Sequence, residues 1–117
     1  APPMTPILDA TPRLRAWYAR VAAFGHGTPT PMTSGEAVAL AASTATHEPC
    51  RVEPGFGFEA GEAVTVMPID YGRDPVAGTL VGLDADEVVL RRADERAGTL
   101  HVHFPRIGFQ IRKDKLS

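Results

Sequence analysis

Two histidines stand one residue apart in the run Thr99-Leu100-His101-Val102-His103-Phe104. Alternate side chains of an extended strand share a face, so both imidazoles project the same way, the spacing from which two metal ligands converge. A metal site would need one or two further ligands. Asp70, Glu87 and Glu95 are nearest in type, and no pattern brings them there. The plainer reading is a pair of exposed or cross-strand-paired histidines, and no metal is expected. Cys50 is the second candidate, because Arg51 beside it and His47 three residues earlier would favour its thiolate. Without an established base, a single loop cysteine is more often merely a thiol.

A third group lies at the end of the chain. Arg106, Arg112, Lys113 and Lys115 make it locally basic, and with Tyr71, Phe104 and Phe109 they would form a basic-aromatic face. Such faces bind peptides or RNA on small β modules. The competing reading makes both phenylalanines core and the basic residues a solvated tail. Tyr71, His101, His103 and Arg106 are therefore the ligand-binding candidates. No nucleophile, base and orienting group occur in a recognisable set, so no residue is assigned a catalytic role.

Composition narrows the classes further. The chain has 117 residues, 44% hydrophobic and 22% charged, enough for one soluble core without disulfides. A formal charge of −2 argues against a general grip on nucleic acid or anionic lipid. No apolar run approaches membrane-spanning length, and no signal peptide is visible. One cysteine cannot form an internal disulfide, which points to a reducing, cytoplasmic setting. The opening Ala-Pro-Pro without an initiator Met suits a fragment or a processed product.

The elements that would position these residues are readable from punctuation and period. Residues 1–10, with Pro2, Pro3 and Pro6, read as an extended leader. Thr11 as cap, Pro12 in the first turn and Gly25 as stop bracket a helix. Its Leu14, Trp17, Tyr18, Val21 and Phe24 share a face, and packing is the plain reading of that stripe. Trp17 is expected to be buried by a second helix or by the β elements. Pro29 and Pro31 break the chain, and Thr33-Ser34-Gly35-Glu36 has the form of a capping box that starts a second helix. Val38, Ala41, Ala42 and Ala45 then form a small-residue face, with Leu40 beside them. His26 and His47 read as surface histidines.

After a Pro- and Gly-rich boundary, five short strands follow: 63–68, 76–83, 87–92, 99–104 and one through Phe109 and Ile111. Gly78 and Gly82 in the second suggest a bend or bulge. Val64, Val66, Leu80, Val88, Leu90, Leu100, Val102, Phe104, Phe109 and Ile111 are the candidates for one shared core. This is an α+β layout, two short N-terminal helices followed by a small five-stranded antiparallel SH3-like β-barrel. The domains are expected at 1–48 and 49–117.

The run Pro12-Arg13-Leu14-Arg15-Ala16-Trp17-Tyr18-Ala19-Arg20-Val21 resembles a late helix in the all-helical C-terminal domain of bacterial glutathione S-transferases. Gly25-His26-Gly27, Met32 and Glu36-Ala37 are similar to a subgroup with an added β-rich tail, and Val102–Phe109 resembles the end of that tail. The resemblance implies the C-terminal region of a longer protein. Glutathione would be held by an N-terminal thioredoxin-like domain, which would also supply the Tyr, Ser or Cys that acts on the thiol. No β-α-β unit occurs here, so this chain inherits neither the cofactor site nor the catalytic residue. The implied partner is the protein's own N-terminal domain or a second copy, with no membrane and no nucleic acid. The alternative is a free-standing SH3-like module that binds a peptide or nucleic acid.

Overall fold

Period-2 alternation after Gly61 becomes a five-stranded antiparallel sheet in the computed structural model, which describes residues 5–114. In chain order the elements are α1 (Thr5–Asp9), α2 (Pro12–Ala22), α3 (Ser34–Ser43), β1 (Ala63–Pro68), β2 (Val76–Leu83), β3 (Glu87–Asp94), β4 (Gly98–Pro105) and β5 (Phe109–Lys113). They fall into two compact units, one ending at Met32 and one beginning at Thr33. Pro2, Pro3 and Lys115 lie outside the described residues.

The first unit holds α1 and α2. An extended leader was the expectation for residues 1–10, and Thr5–Asp9 is helical instead. Pro6 does not prevent this, because a first-turn proline gives up an amide that has no helical partner anyway. Leu8 is buried. Thr11 sits at the N-cap of α2, but its hydroxyl donates to the Leu8 carbonyl rather than capping. Pro12 opens the helix and Arg15 pairs with Asp9. At the far end Gly25, with φ of +68°, donates its amide to the Ala22 carbonyl, a backbone conformation suited to glycine. Within this unit nothing supplies the expected burial of Trp17. It is 53% exposed, and Leu14, Tyr18 and Val21 beside it are similarly open. The stripe marks an apolar face, but five-residue α1 is too short to cover it.

The second unit holds α3 and the sheet. Thr33 and Glu36 form the full capping box, the hydroxyl accepting from the Glu36 amide at 3.1 Å and the carboxylate from the Thr33 amide at 3.2 Å. On α3 only Val38 and Ala41 are half-buried, while Leu40 and Ala42 face solvent; Ala45, expected on the same face, lies beyond the end of the helix.

The strands lie in the order β4-β3-β2-β1-β5. The expected SH3-like barrel is not closed, since β4 and β5 are the two edges and do not pair with each other. β5 is drawn to β1, pairing Ile111 with Val66 and Phe109 with Pro68. Only side chains reach between the edge strands, the Phe104 and Phe109 rings meeting at 5.5 Å between centroids.

β2 carries the bulge its glycines suggested, with Leu80 opposite Leu90 and Gly82 opposite Val89. The extra residue restores Leu83 to the core face, three positions after Leu80. Val64, Val66, Leu80, Leu83, Val88 and Leu90 make the buried core, with Val52, Phe58, Val76, Phe104, Phe109 and Ile111 packed around it. Leu100 and Val102, expected there, are only half-buried and stand outside that cluster. Val89 is fully buried on the opposite face. There the segment before β1 runs along β2, bridging Val52 to Leu83 in parallel and bringing Cys50 against Val89 and Gly82.

Candidate functional site

The turn between β2 and β3 gathers several polar and charged side chains. The Asp84 carboxylate accepts from the Asp86 amide at 2.7 Å and the Glu87 amide at 2.9 Å, an Asx turn that folds the loop on itself. Those two bonds, that from Asp86 foremost, hold its carboxyl below the usual carboxylate range. Arg106, entering from the end of β4, clips the turn. Its guanidinium donates to the Asp84 carbonyl at 2.8 Å and its amide to the Asp86 carbonyl at 2.9 Å. The same guanidinium lies over the Phe56 ring, 5.0 Å from the centroid.

β3 and β4 place Glu87 and His103 on this end of the sheet, with Nδ1 of His103 3.2 Å from the Glu87 carboxylate. Together with Asp84, Asp86, Phe104 and Pro105 they line an open cavity of about 510 Å³. A carboxylate-oriented imidazole is the base half of an acid–base set. No hydroxyl or thiol side chain lines this cavity. The arrangement suits a group that donates hydrogen bonds or carries positive charge.

Cys50 lines a neighbouring cavity of about 200 Å³ that shares Asp84 and Glu87 with the first. The environment of the thiol runs opposite to the expectation from Arg51 and His47. Burial, followed by the charges of Glu87 and Glu48, pushes its pKa up, so the protonated thiol is favoured.

His101 belongs to a separate place. Its ring stacks on that of His47 with centroids 4.0 Å apart and planes 12° from parallel. Lone pairs of two parallel rings point along parallel planes, so the His47–His101 stack itself does not converge on one ion. Among the described residues no group of three or more His, Cys, Asp or Glu comes together as a metal site. Nδ1 of His101 is buried without a hydrogen-bond partner. Burial is the main cause of a lowered His101 pKa, with His47, Arg91 and His103 adding in that order.

The four expected binding residues are therefore not one site. His103 and Arg106 approach the same turn, His101 is engaged with His47, and Tyr71 stands 95% exposed on the β1–β2 connection. Phe104 and Phe109 pack on the core, as the plainer reading held, and Lys113 lies over Phe58, 5.5 Å from its centroid. Phe56 and His47 went unnoticed as partners, because nothing in a loop residue's type announces the side chain it will meet.

No family model and no curated protein matches the chain. Among solved structures it is similar to a GST-like protein from Pseudomonas syringae, with 39% identity and a TM-score of 0.83 over 97% of this chain. The match covers 41% of that protein, so the chain spans about two fifths of its length. The resemblance carried by the Pro12–Val21 helix and the tail is thereby borne out, for the likeness to a GST-like protein runs through nearly every residue here.

Proposed function

We propose that this chain is the C-terminal accessory and interaction region of a glutathione S-transferase-like protein, and that it performs no thiol transfer by itself. The observation that carries this reading is the likeness over 97% of the chain to a GST-like protein of which it spans about two fifths. In this reading the glutathione site lies in sequence outside the chain. The environment of Cys50 supports that assignment, because burial pushes the thiol pKa up and disfavours the thiolate.

The partner in this reading is the protein's own N-terminal domain or a second copy, and the setting is cytoplasmic. The apolar face of α2 is the surface offered, with Trp17, Tyr18, Leu14 and Val21 all 45–53% exposed. No helix of the described chain is long and apolar enough to cross a membrane. The β unit is read as an SH3-like module left open at one seam, on the strength of the order β4-β3-β2-β1-β5 and the bulge in β2.

Calorimetry with glutathione tests the first claim. No saturable heat is expected from the purified chain, and saturable binding would overturn the assignment of the site elsewhere. Trp17→Ala tests the docking face. It should change the stability of the chain alone by less than about 0.5 kcal/mol, the level of a surface site. In the longer protein the loss should be several times larger. An equally small loss in both would refute docking through α2.

A further inference from the structure

We propose that the His47–His101 stack is a proton-operated latch, holding the α3–β1 connection against β4 while the His101 ring is neutral and releasing it when that ring takes up a proton. The stack joins two parts of the second unit that are distant in sequence. His101 sits within β4, opposite Arg91 of β3, and His47 lies between the end of α3 and the Val52–Leu83 bridge. Two neutral imidazoles at 4.0 Å and 12° gain dispersion across their faces. Two imidazoliums at that distance repel, and the buried, unpartnered Nδ1 of His101 has no acceptor to receive an added proton.

The surroundings reinforce the preference for a neutral His101 ring. β3 contributes Arg91, and β4 contributes His103, whose Nδ1 lies 3.2 Å from the Glu87 carboxylate. The connection contributes Glu48 next to His47. The only ionisable side chain of α3 is Glu36, engaged in the capping box at the start of that helix. Among the described residues no carboxylate accepts from His101. Its pKa is accordingly below the ordinary 6.5, with burial the first cause.

The direction of the pH effect follows from that depression. Both the latched and released states are neutral well above the ordinary histidine pKa, where the latch contributes fully. As pH falls through about 6.5, the released state binds the proton first, and closure is lost progressively until latched His101 also titrates. Each pH unit in that window weakens a one-proton latch by about tenfold. Cys50 reports the result, because it is the sole cysteine, lies three residues after His47 and is half-buried.

The experiment follows the imidazole resonances and the ring-to-ring NOE from about pH 8 to about pH 5, the range in which histidine titrates. Alkylation of Cys50 is measured alongside, as a ratio to the urea-unfolded chain at each pH, which cancels the thiol's own ionisation. The expected result is a His101 midpoint below the ordinary value, with the NOE lost and Cys50 unshielded as His101 protonates. The double variant His47→Phe with His101→Phe keeps two flat rings and removes the protons. It should keep Cys50 shielded across the range. Should that variant not fold, His47→Phe alone should raise the His101 midpoint, since a cationic neighbour is gone. Retention of the NOE and of Cys50 shielding after His101 protonates would overturn the latch. So would the same pH-dependent exposure of Cys50 in the double-phenylalanine chain.

Discussion

A single methyl group placed at Gly82 tests how the two faces of the sheet are closed. A Cβ there would lie 2.9 Å from Cγ2 of Val89, 3.0 Å from its Cβ and 3.0 Å from the Cβ of Cys50. Carbon pairs rest at about 3.5–4.0 Å, so all three contacts are well inside the optimum. Val89 is fully buried, and its Cβ is fixed by the β3 backbone, so rotation relieves only the Cγ2 contact. Cys50 is restrained as well. The Leu83 amide donates to the Arg51 carbonyl at 3.0 Å and the Glu53 amide to the Leu83 carbonyl at 2.8 Å. Overpacking of this kind costs about 1–3 kcal/mol. Loss of glycine's unfolded-state entropy returns about 0.4–1 kcal/mol. Gly82→Ala should therefore destabilise by about 1–2 kcal/mol, a fall of roughly 4–16 °C in Tm for a unit of this size. Denaturant melts followed by circular dichroism measure the loss, and alkylation of Cys50 should speed up as the wedge lifts its segment. Gly35→Ala supplies the contrast. The nearest atom to a Cβ there is the Thr33 hydroxyl at 4.0 Å, and the helical backbone favours alanine by about 0.5–1 kcal/mol. A neutral or stabilising Gly82→Ala would mean that the segment around Cys50 does not lie on the sheet as described.

Two further outcomes follow from the same unit. The Asp94 carboxylate accepts from the Ala97 and Arg96 amides at 2.8 Å each, and like Asp84 it is held below the usual carboxylate range by those bonds. Their contribution is full above the unfolded carboxyl pKa of about 3.9 and is lost as pH falls through the lower native values. Replacing both with alanine should lower Tm at neutral pH and flatten its acid decline, whereas Asp94→Asn, which keeps an acceptor, should lose less. An unchanged acid decline in the alanine variant would count against the assignment. Phe104→Ala should cost about 2 kcal/mol, below the full range for a buried ring because it is only partly buried. His103→Thr should cost less than about 1 kcal/mol, since both it and Glu87 are solvated. Reversal of that order in urea melts would mean that β4 presents its other face to the core.

Strand positions were legible because Val, Leu and Phe alternate with polar residues and glycines mark the turns. Phase was less legible. Strict alternation through β2 sends Leu83 outward, and only the bulge between Leu80 and Gly82 brings it back to the core. Val88, Val89 and Leu90 are consecutive and all buried, so no period could assign Val89 to the face that the Cys50 segment covers. The capping box of α3 was readable in full, because Thr33 and Glu36 act within one turn. Trp17 was not, because an apolar stripe says that a face seeks a partner and nothing about whether this chain provides one.

Closure of the sheet was misjudged for a related reason. Five strands and short turns are compatible with a ring, yet a ring also needs β4 and β5 to meet edge to edge. Phe104 and Phe109 touch across that seam by their rings alone, while β5 gives its hydrogen bonds to β1. The histidines repeat the lesson in chemical form. His101 and His103 share a strand face and a residue type, and sequence treats them as a pair. Packing separates them, since His103 meets Glu87 and stays exposed, whereas His101 meets His47 and loses its hydrogen-bond partner. One carboxylate and one stacked ring thus give neighbouring imidazoles different surroundings, and the contact that sets His101 apart comes from a loop far away in the chain.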